Sequence, residues 1–199
     1  ILGGGVELAL HCDYRVIADD VRHFASPECL LGFVPAWGAT QLAPRIAGPE
    51  AAVKLIAINP MRQNKMLNAA QAHELGFVDR VVEPERLIDE AMTIASERPL
   101  REEADLSDLA EAVAKGRRQL DDSLHGAAPA PYRALDLIEG AATWSLEEGY
   151  RAEEEALADL LFTPQAQASL YAFDLVERRA RRGAGRPAAE PREVAKVGI

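Results

Sequence analysis

The chain has 199 residues, 48% of them apolar and 27% charged, with 32 acidic against 22 basic side chains and a net charge of −10. A chain of this size buries about 70% of its unfolded surface without disulfide or metal staples, and the composition excludes intrinsic disorder and collagen-like classes. The negative balance argues against nucleic acid as a partner, and no apolar run approaches the roughly 18 residues of a membrane span, the longest candidate being broken by Gly32 and Pro35.

Ile1-Leu2-Gly3-Gly4-Gly5 reads as a strand end running into a glycine turn, and Gly5 to about Cys12 as a helix. Tyr14–Ala18 and Val21–Ala25 are β-prone runs about Asp19-Asp20, which predicts a hairpin. Pro27–Ala39 is a loop punctuated by proline and glycine, after which Thr40 caps a helix that ends before Gly48. Pro49 opens the next helix, to about Ile58. Ala69–Leu75 is a helix closed by Gly76 in the left-handed region, Val78–Val82 a strand, and Pro84 starts a helix with Leu87, Ile88, Ala91, Ile94 and Ala95 on one face.

From Ser107 the chain reads as helical and charged, with Leu106, Leu109, Val113 and Leu120 on one amphipathic segment. Pro129 and Pro131 break it before a helix over Tyr132–Glu139. Trp144–Leu161 follows with Leu146, Tyr150, Leu157, Leu160 and Leu161 as its core stripe, then a helix over Gln165–Arg182. Gly183–Glu193 is a linker and Val194–Ile199 a strand that stops as it begins. A strand end at each terminus suggests an excerpt of a longer protein.

The feature richest in chemistry is Gly3-Gly4-Gly5-Val6-Glu7-Leu8 followed by Phe24-Ala25-Ser26-Pro27-Glu28. Glycines at a helix start let a ligand approach free backbone N–H groups, an oxyanion site. Glu7 falls in the first turn beside those donors, and the proposed hairpin would fold Glu28 back opposite it. Two carboxylates beside an oxyanion hole suit addition of water across a conjugated double bond, one deprotonating water while the other side delivers a proton to carbon. Spacing alone leaves open a surface Glu at a helix start beside an unrelated loop Glu.

Other clusters carry less. His11, Cys12 and Asp13 are consecutive on a helix and point different ways, so His11 reads as a satisfied pocket histidine near Glu7. Cys12, Cys29, His11 and His23 lack zinc spacing, and the two cysteines suggest reduced thiols in a cytoplasmic protein. Glu153-Glu154-Glu155 reads as a solvated face paired with nearby arginines, and Arg178–Arg186 as a solvated helix end. Gly183-Ala-Gly185-Arg-Pro-Ala188 fits a loose nucleotide pattern, but it follows an arginine-rich helix and holds Pro187 inside the turn.

Gly3 through Arg15 and Phe24 through Pro35 resemble the crotonase superfamily at its enoyl-CoA hydratase branch, continued by Gly38-Ala-Thr-Gln with Pro44-Arg-Ile-Ala-Gly48 and by Ala69 through Asp79. The resemblance implies an α/β fold: a partial ββα spiral followed by a mostly α-helical C-terminal region. It implies Glu7 as water-activating base, Glu28 as Cα proton donor and the Gly4 N–H as one oxyanion donor to the thioester carbonyl. The family's other donor comes from an upstream loop that this chain lacks. Trp37 stands where a small residue is common, and reads equally as a wall of the acyl pocket or as core filling. Pro129 through Asp136, Trp144 through Glu155 and Ser169 through Phe173 look like multifunctional fatty-acid oxidation α-subunits, in which a 3-hydroxyacyl-CoA dehydrogenase follows the hydratase region.

The organisation expected is a partial hydratase core over 1–100, a helical extension over 101–182, a linker over 183–193 and, over 194–199, the first strand of a truncated NAD-binding domain. The implied substrate is an acyl-CoA thioester and the implied protein partner a thiolase subunit or a second copy. No cofactor is expected, NAD belonging to the downstream domain of a parent protein. The rival readings are another crotonase activity, enoyl-CoA isomerase or acyl-CoA hydrolase, or a helical docking fragment with an incomplete site.

Overall fold

The computed structural model describes residues 1–100 and 102–181. The fold is mixed α/β, as expected: mostly helical, with one small parallel sheet. Helix α1 (Gly4–Leu10) starts from Gly3 and buries Val6, Glu7 and Leu10. Strand β1 (Val16–Ala18) follows, then a 3-10 turn over Glu28–Leu31. Helices α2 (Ala39–Ala47) and α3 (Pro49–Val53) are separated by Gly48; a π-helical turn over Lys54–Ile58 leads into the short α4 (Asn59–Met61). Helix α5 (Ala69–Glu74) is closed by Gly76 at φ 83°, and its start is fixed by a capping box between Asn68 and Gln71.

The predicted hairpin is not formed. Strand β1 pairs in parallel with β2 (Arg80–Val82), in the register Val16↔Arg80, Ile17↔Val81 and Ala18↔Val82. Beyond the Asp19-Asp20 turn the chain leaves that sheet: Phe24 bridges antiparallel to Leu67, and Ala25 bridges parallel to Leu2. Buried Arg15 ties the end of α1 to the approach to β2, donating to the carbonyls of Cys12 and Phe77, while its own amide donates to Asp79 Oδ2 at 2.6 Å. A β-prone run specifies extended backbone, not a partner, and here the partner lies more than sixty positions away.

Helix α6 (Leu87–Glu97) forms where expected, but of its apolar face only Ile94 is buried; Ile88 and Met92 face outward. The helices that follow are α7 (Leu109–Leu124), α8 (Pro129–Gly140), α9 (Leu146–Leu161) and α10 (Pro164–Asp174), continued by a π-helical segment over Leu175–Arg181. Pro129 and Pro131 occupy the first turn of α8 instead of preceding it, positions at which a missing N–H costs no helical hydrogen bond. Helices α7 and α8 pack on each other and on α3, so a single core runs from Val6 to Leu160. Gly116 sets the closeness of that packing, since a β-carbon there would lie 2.7 Å from Val53 Cγ1. Leu135, Leu137 and Ile138 are fully buried, each worth about 1.5–3 kcal/mol of transfer free energy.

Helix α9 differs in phase from the expectation. Its buried residues are Gly149, Glu153, Ala156 and Leu160, whereas Leu146 and Leu161 are exposed. On α10 and its continuation Leu170, Tyr171, Phe173 and Val176 are exposed. No helix among the described residues is long and apolar enough to cross a membrane. The expected linker over 183–193, the strand over 194–199, the loose glycine pattern and the end of the basic cluster lie outside the described residues.

Candidate active site

The parallel bridge between Leu2 and Ala25 does the work assigned to a hairpin. The Gly3 amide donates to the Ala25 carbonyl at 2.9 Å, so the chain leaves both strands at the same end. One strand runs into α1 and carries Glu7; the other runs through Ser26 and Pro27 into the 3-10 turn that carries Glu28. Both carboxyls are buried, at 4% and 8% exposure, and the charge on Glu7 is felt at Glu28.

Gly3 permits this meeting. It sits at φ 54°, and a β-carbon there would lie 2.7 Å from Glu28 Oε1. Glu28 Oε2 accepts a hydrogen bond from the Ser26 hydroxyl at 2.6 Å. Burial pushes the Glu28 carboxyl above its usual range; the Ser26 hydroxyl offsets part of that and the Glu7 charge adds to it. Oε1, the other oxygen, faces Gly3.

Glu7 is held differently. Its Oε1 accepts from the Trp37 amide at 2.7 Å and from the Ala39 amide at 3.4 Å. Burial raises this carboxyl too, against those two amides and the neighbouring His11, which favour the ionised form. His11 is an exposed residue whose Nε2 meets the Trp37 carbonyl at 2.8 Å. Gly4 opens α1, and its N–H has no acceptor among the described residues. The Trp37 ring lies over Gly4, so that a β-carbon there would come within 2.8 Å of Cζ3. Trp37 is 69% exposed, which corrects the core-filling alternative.

Two expectations fail at this site. Thr40 does not cap α2; Gly38, at φ 100°, stands in the cap position and Thr40 lies inside the helix. Glu153 is not on a solvated face. It is fully buried, accepting from the Gly38 amide at 2.6 Å, the Thr40 amide at 2.8 Å and the Thr40 hydroxyl. Burial and the Glu7 charge push its carboxyl up to about 7 against those donors. The signal that could have found Glu153 is the stripe Gly149, Glu153, Ala156, Leu160 at helical spacing, which shares only Leu160 with the expected one.

Cys29 is buried, and the apolar surroundings push its thiol well up; Cys12 is exposed, and both are free. Among the described residues no three His, Cys, Asp or Glu side chains gather as a metal site.

The sequence profile of the enoyl-CoA hydratase/isomerase family matches residues 1–129. The chain is similar in structure to an enoyl-CoA hydratase/isomerase from Pseudoalteromonas atlantica T6c, at 22% identity and TM-score 0.56, over 86% of this chain and 57% of that one. It is similar to an enoyl-CoA hydratase from Mycobacterium avium subsp. paratuberculosis K-10, at 19% identity and TM-score 0.55, over 87% and 58%. A carnitinyl-CoA dehydratase from Mycobacterium avium 104 matches at 24% identity and TM-score 0.54, over 87% and 57%. These likenesses show a shared fold of crotonase type, and the matched region spans 57–58% of the length of those proteins.

Proposed function

The chain belongs to the enoyl-CoA hydratase/isomerase family, and from that premise we propose that its site adds water to trans-2-enoyl-CoA thioesters. The observation that carries the reading is the pair of buried carboxyls, Glu7 and Glu28, on two segments that leave paired strands at the same end beside the free Gly4 N–H. Glu7, with two amide donors favouring its ionised form, takes a proton from water as the water oxygen bonds to C3. The electron pair of the double bond moves toward the thioester oxygen, where the Gly4 N–H opposes the developing charge. Glu28, whose proton is favoured by burial and by the Glu7 charge, delivers it to C2 and is left ionised. Proton exchange with solvent then restores both groups.

Isomerisation of a double bond needs one proton-shuttling carboxyl and would leave the second without a task. We read the Trp37 ring, which lies over Gly4, as a flank of the acyl chain. Consistent with the motifs along α8 and α9, we place the chain in fatty-acid oxidation, as the hydratase region of a multifunctional protein. The test is loss of the conjugated absorbance of crotonyl-CoA. Glu7→Gln and Glu28→Gln should each lower kcat by about 10²–10⁴-fold. Activity retained in either variant would overturn the two-carboxyl mechanism.

A further inference from the structure

The loop entering α2 presents four consecutive amides to two carboxyls in alternation. Trp37 and Ala39 donate to Glu7; Gly38 and Thr40 donate to Glu153, which reaches them from α9, 115 positions from Gly38 along the chain. Adjacent amides in this stretch are thus shared out between two carboxyls, so a backbone shift that serves one is felt by the other. We propose that Glu153 is a positioning residue: by fixing the Gly38 and Thr40 amides it aims those of Trp37 and Ala39 at Glu7, and so couples helix α9 to the orientation of the base.

Three features of the contact fit that role better than a simple helix cap. Glu153 is fully buried and accepts three hydrogen bonds, an arrangement that costs free energy for every donor left without its acceptor. Helix α9 is admitted close to α2 at Gly149, where any β-carbon would collide with the Gln41 side chain. About one turn before Glu153 on the same helix, Tyr150 packs on Gly38 and on the His11 ring, 5.8 Å between centroids, and His11 meets the Trp37 carbonyl. The run is thus gripped from α9 on one side and from α1 on the other. Glu7, Tyr150 and Thr40 are the polar groups that Glu153 meets, and the Glu7 charge makes its ionised form harder to reach.

The inference rests on Glu7 being the base, so its decisive readout is independent of turnover. Glu153→Gln keeps the side-chain shape and one carbonyl acceptor, while its NH2 cannot accept from the second amide. In amide-resolved NMR of the full chain, the Trp37 and Ala39 protons, which do not touch Glu153, should move upfield in this variant. Their hydrogen exchange should quicken by about tenfold or more, with the α1 amides of Val6 and Leu10 keeping their protection. Changes confined to Gly38 and Thr40 would overturn the proposal and leave Glu153 as a cap of α2. With crotonyl-CoA, the same variant should lose about tenfold in kcat with KM within about twofold. Hydration that survives Glu7→Gln, with Trp37 and Ala39 still responding to Glu153→Gln, would sink the reading of Glu7 as base and keep the coupling.

Discussion

The two carboxyls of the site stand in regions built on opposite plans. Glu28 is held by neighbours close in sequence: Ser26 two positions away, the Pro27 turn, and Gly3 brought in by one strand bridge. Glu7 depends on an amide run that is itself gripped by a helix more than a hundred positions downstream. The first region takes its hydrogen bonds from short-range turn chemistry, while its 3-10 turn rests on α10, where Gly32 abuts Ala166. The second is a tertiary construction, and its accuracy depends on how α9 docks. The hydrogen bonds that hold the proton donor are therefore local, and those that aim the base depend on a distant helix.

That contrast is open to breakage, most severely at Glu153. Glu153→Leu should leave three buried donors without acceptors and cost about 3 kcal/mol or more, read as a lowered urea midpoint. On the local side, Ser26→Ala removes one hydrogen bond to Glu28 and should cost only about 1 kcal/mol in the same experiment. Equal losses in the two variants would erase the distinction between the regions.

Gly3→Ala probes the local side sterically. At φ 54° a β-carbon is strained and would meet Glu28 Oε1. The expected cost is about 1–2 kcal/mol, with a loss of kcat out of proportion to any change in KM.

The pH dependence sharpens the comparison next. Glu153 has a folded-state pKa raised to about 7 from an ordinary 4.5, and Glu7 and Glu28 are raised as well. A raised carboxyl binds its proton more tightly in the folded state. Its contribution to stability is complete below the ordinary value and is lost as pH rises through the folded one. The unaltered chain should lose stability between about pH 4.5 and 7, and Glu153→Gln should flatten that decline in urea titrations across the range. An equally steep decline in the variant would assign the effect to the other two carboxyls.

The smallest effect belongs to Trp37→Ala. The ring is largely exposed, so stability should change by less than about 0.5 kcal/mol. KM for a longer enoyl chain should rise a few-fold if the ring over Gly4 flanks the acyl group.

What could be read in advance follows the same divide. Gly3, Gly4, Glu7 and Glu28 lie in two short motifs whose glycine and proline punctuation dictates local backbone, and the structure brings them together. The helices over 109–161 show in their periodicity because an amphipathic stripe repeats within the helix itself. Partners were not legible. The Tyr14–Ala18 run has the alternation of a strand but nothing in it names Arg80–Val82 as its neighbour, and the adjacent β-prone run offered a false one. Glu153 was hidden for a related reason. A triplet of glutamates reads as solvated, and only the docking of α9 on the Gly38–Thr40 amides makes the first of them a buried acceptor.

The central claim is the division of labour between Glu7 and Glu28, and exchange of the Cα protons of butyryl-CoA in D2O tests it most directly. That saturated thioester has no double bond to hydrate, so its exchange needs only the group that serves C2. The account predicts that Glu7→Gln retains deuterium incorporation at C2 and that Glu28→Gln abolishes it. Exchange that survives in Glu28→Gln and vanishes in Glu7→Gln would contradict it.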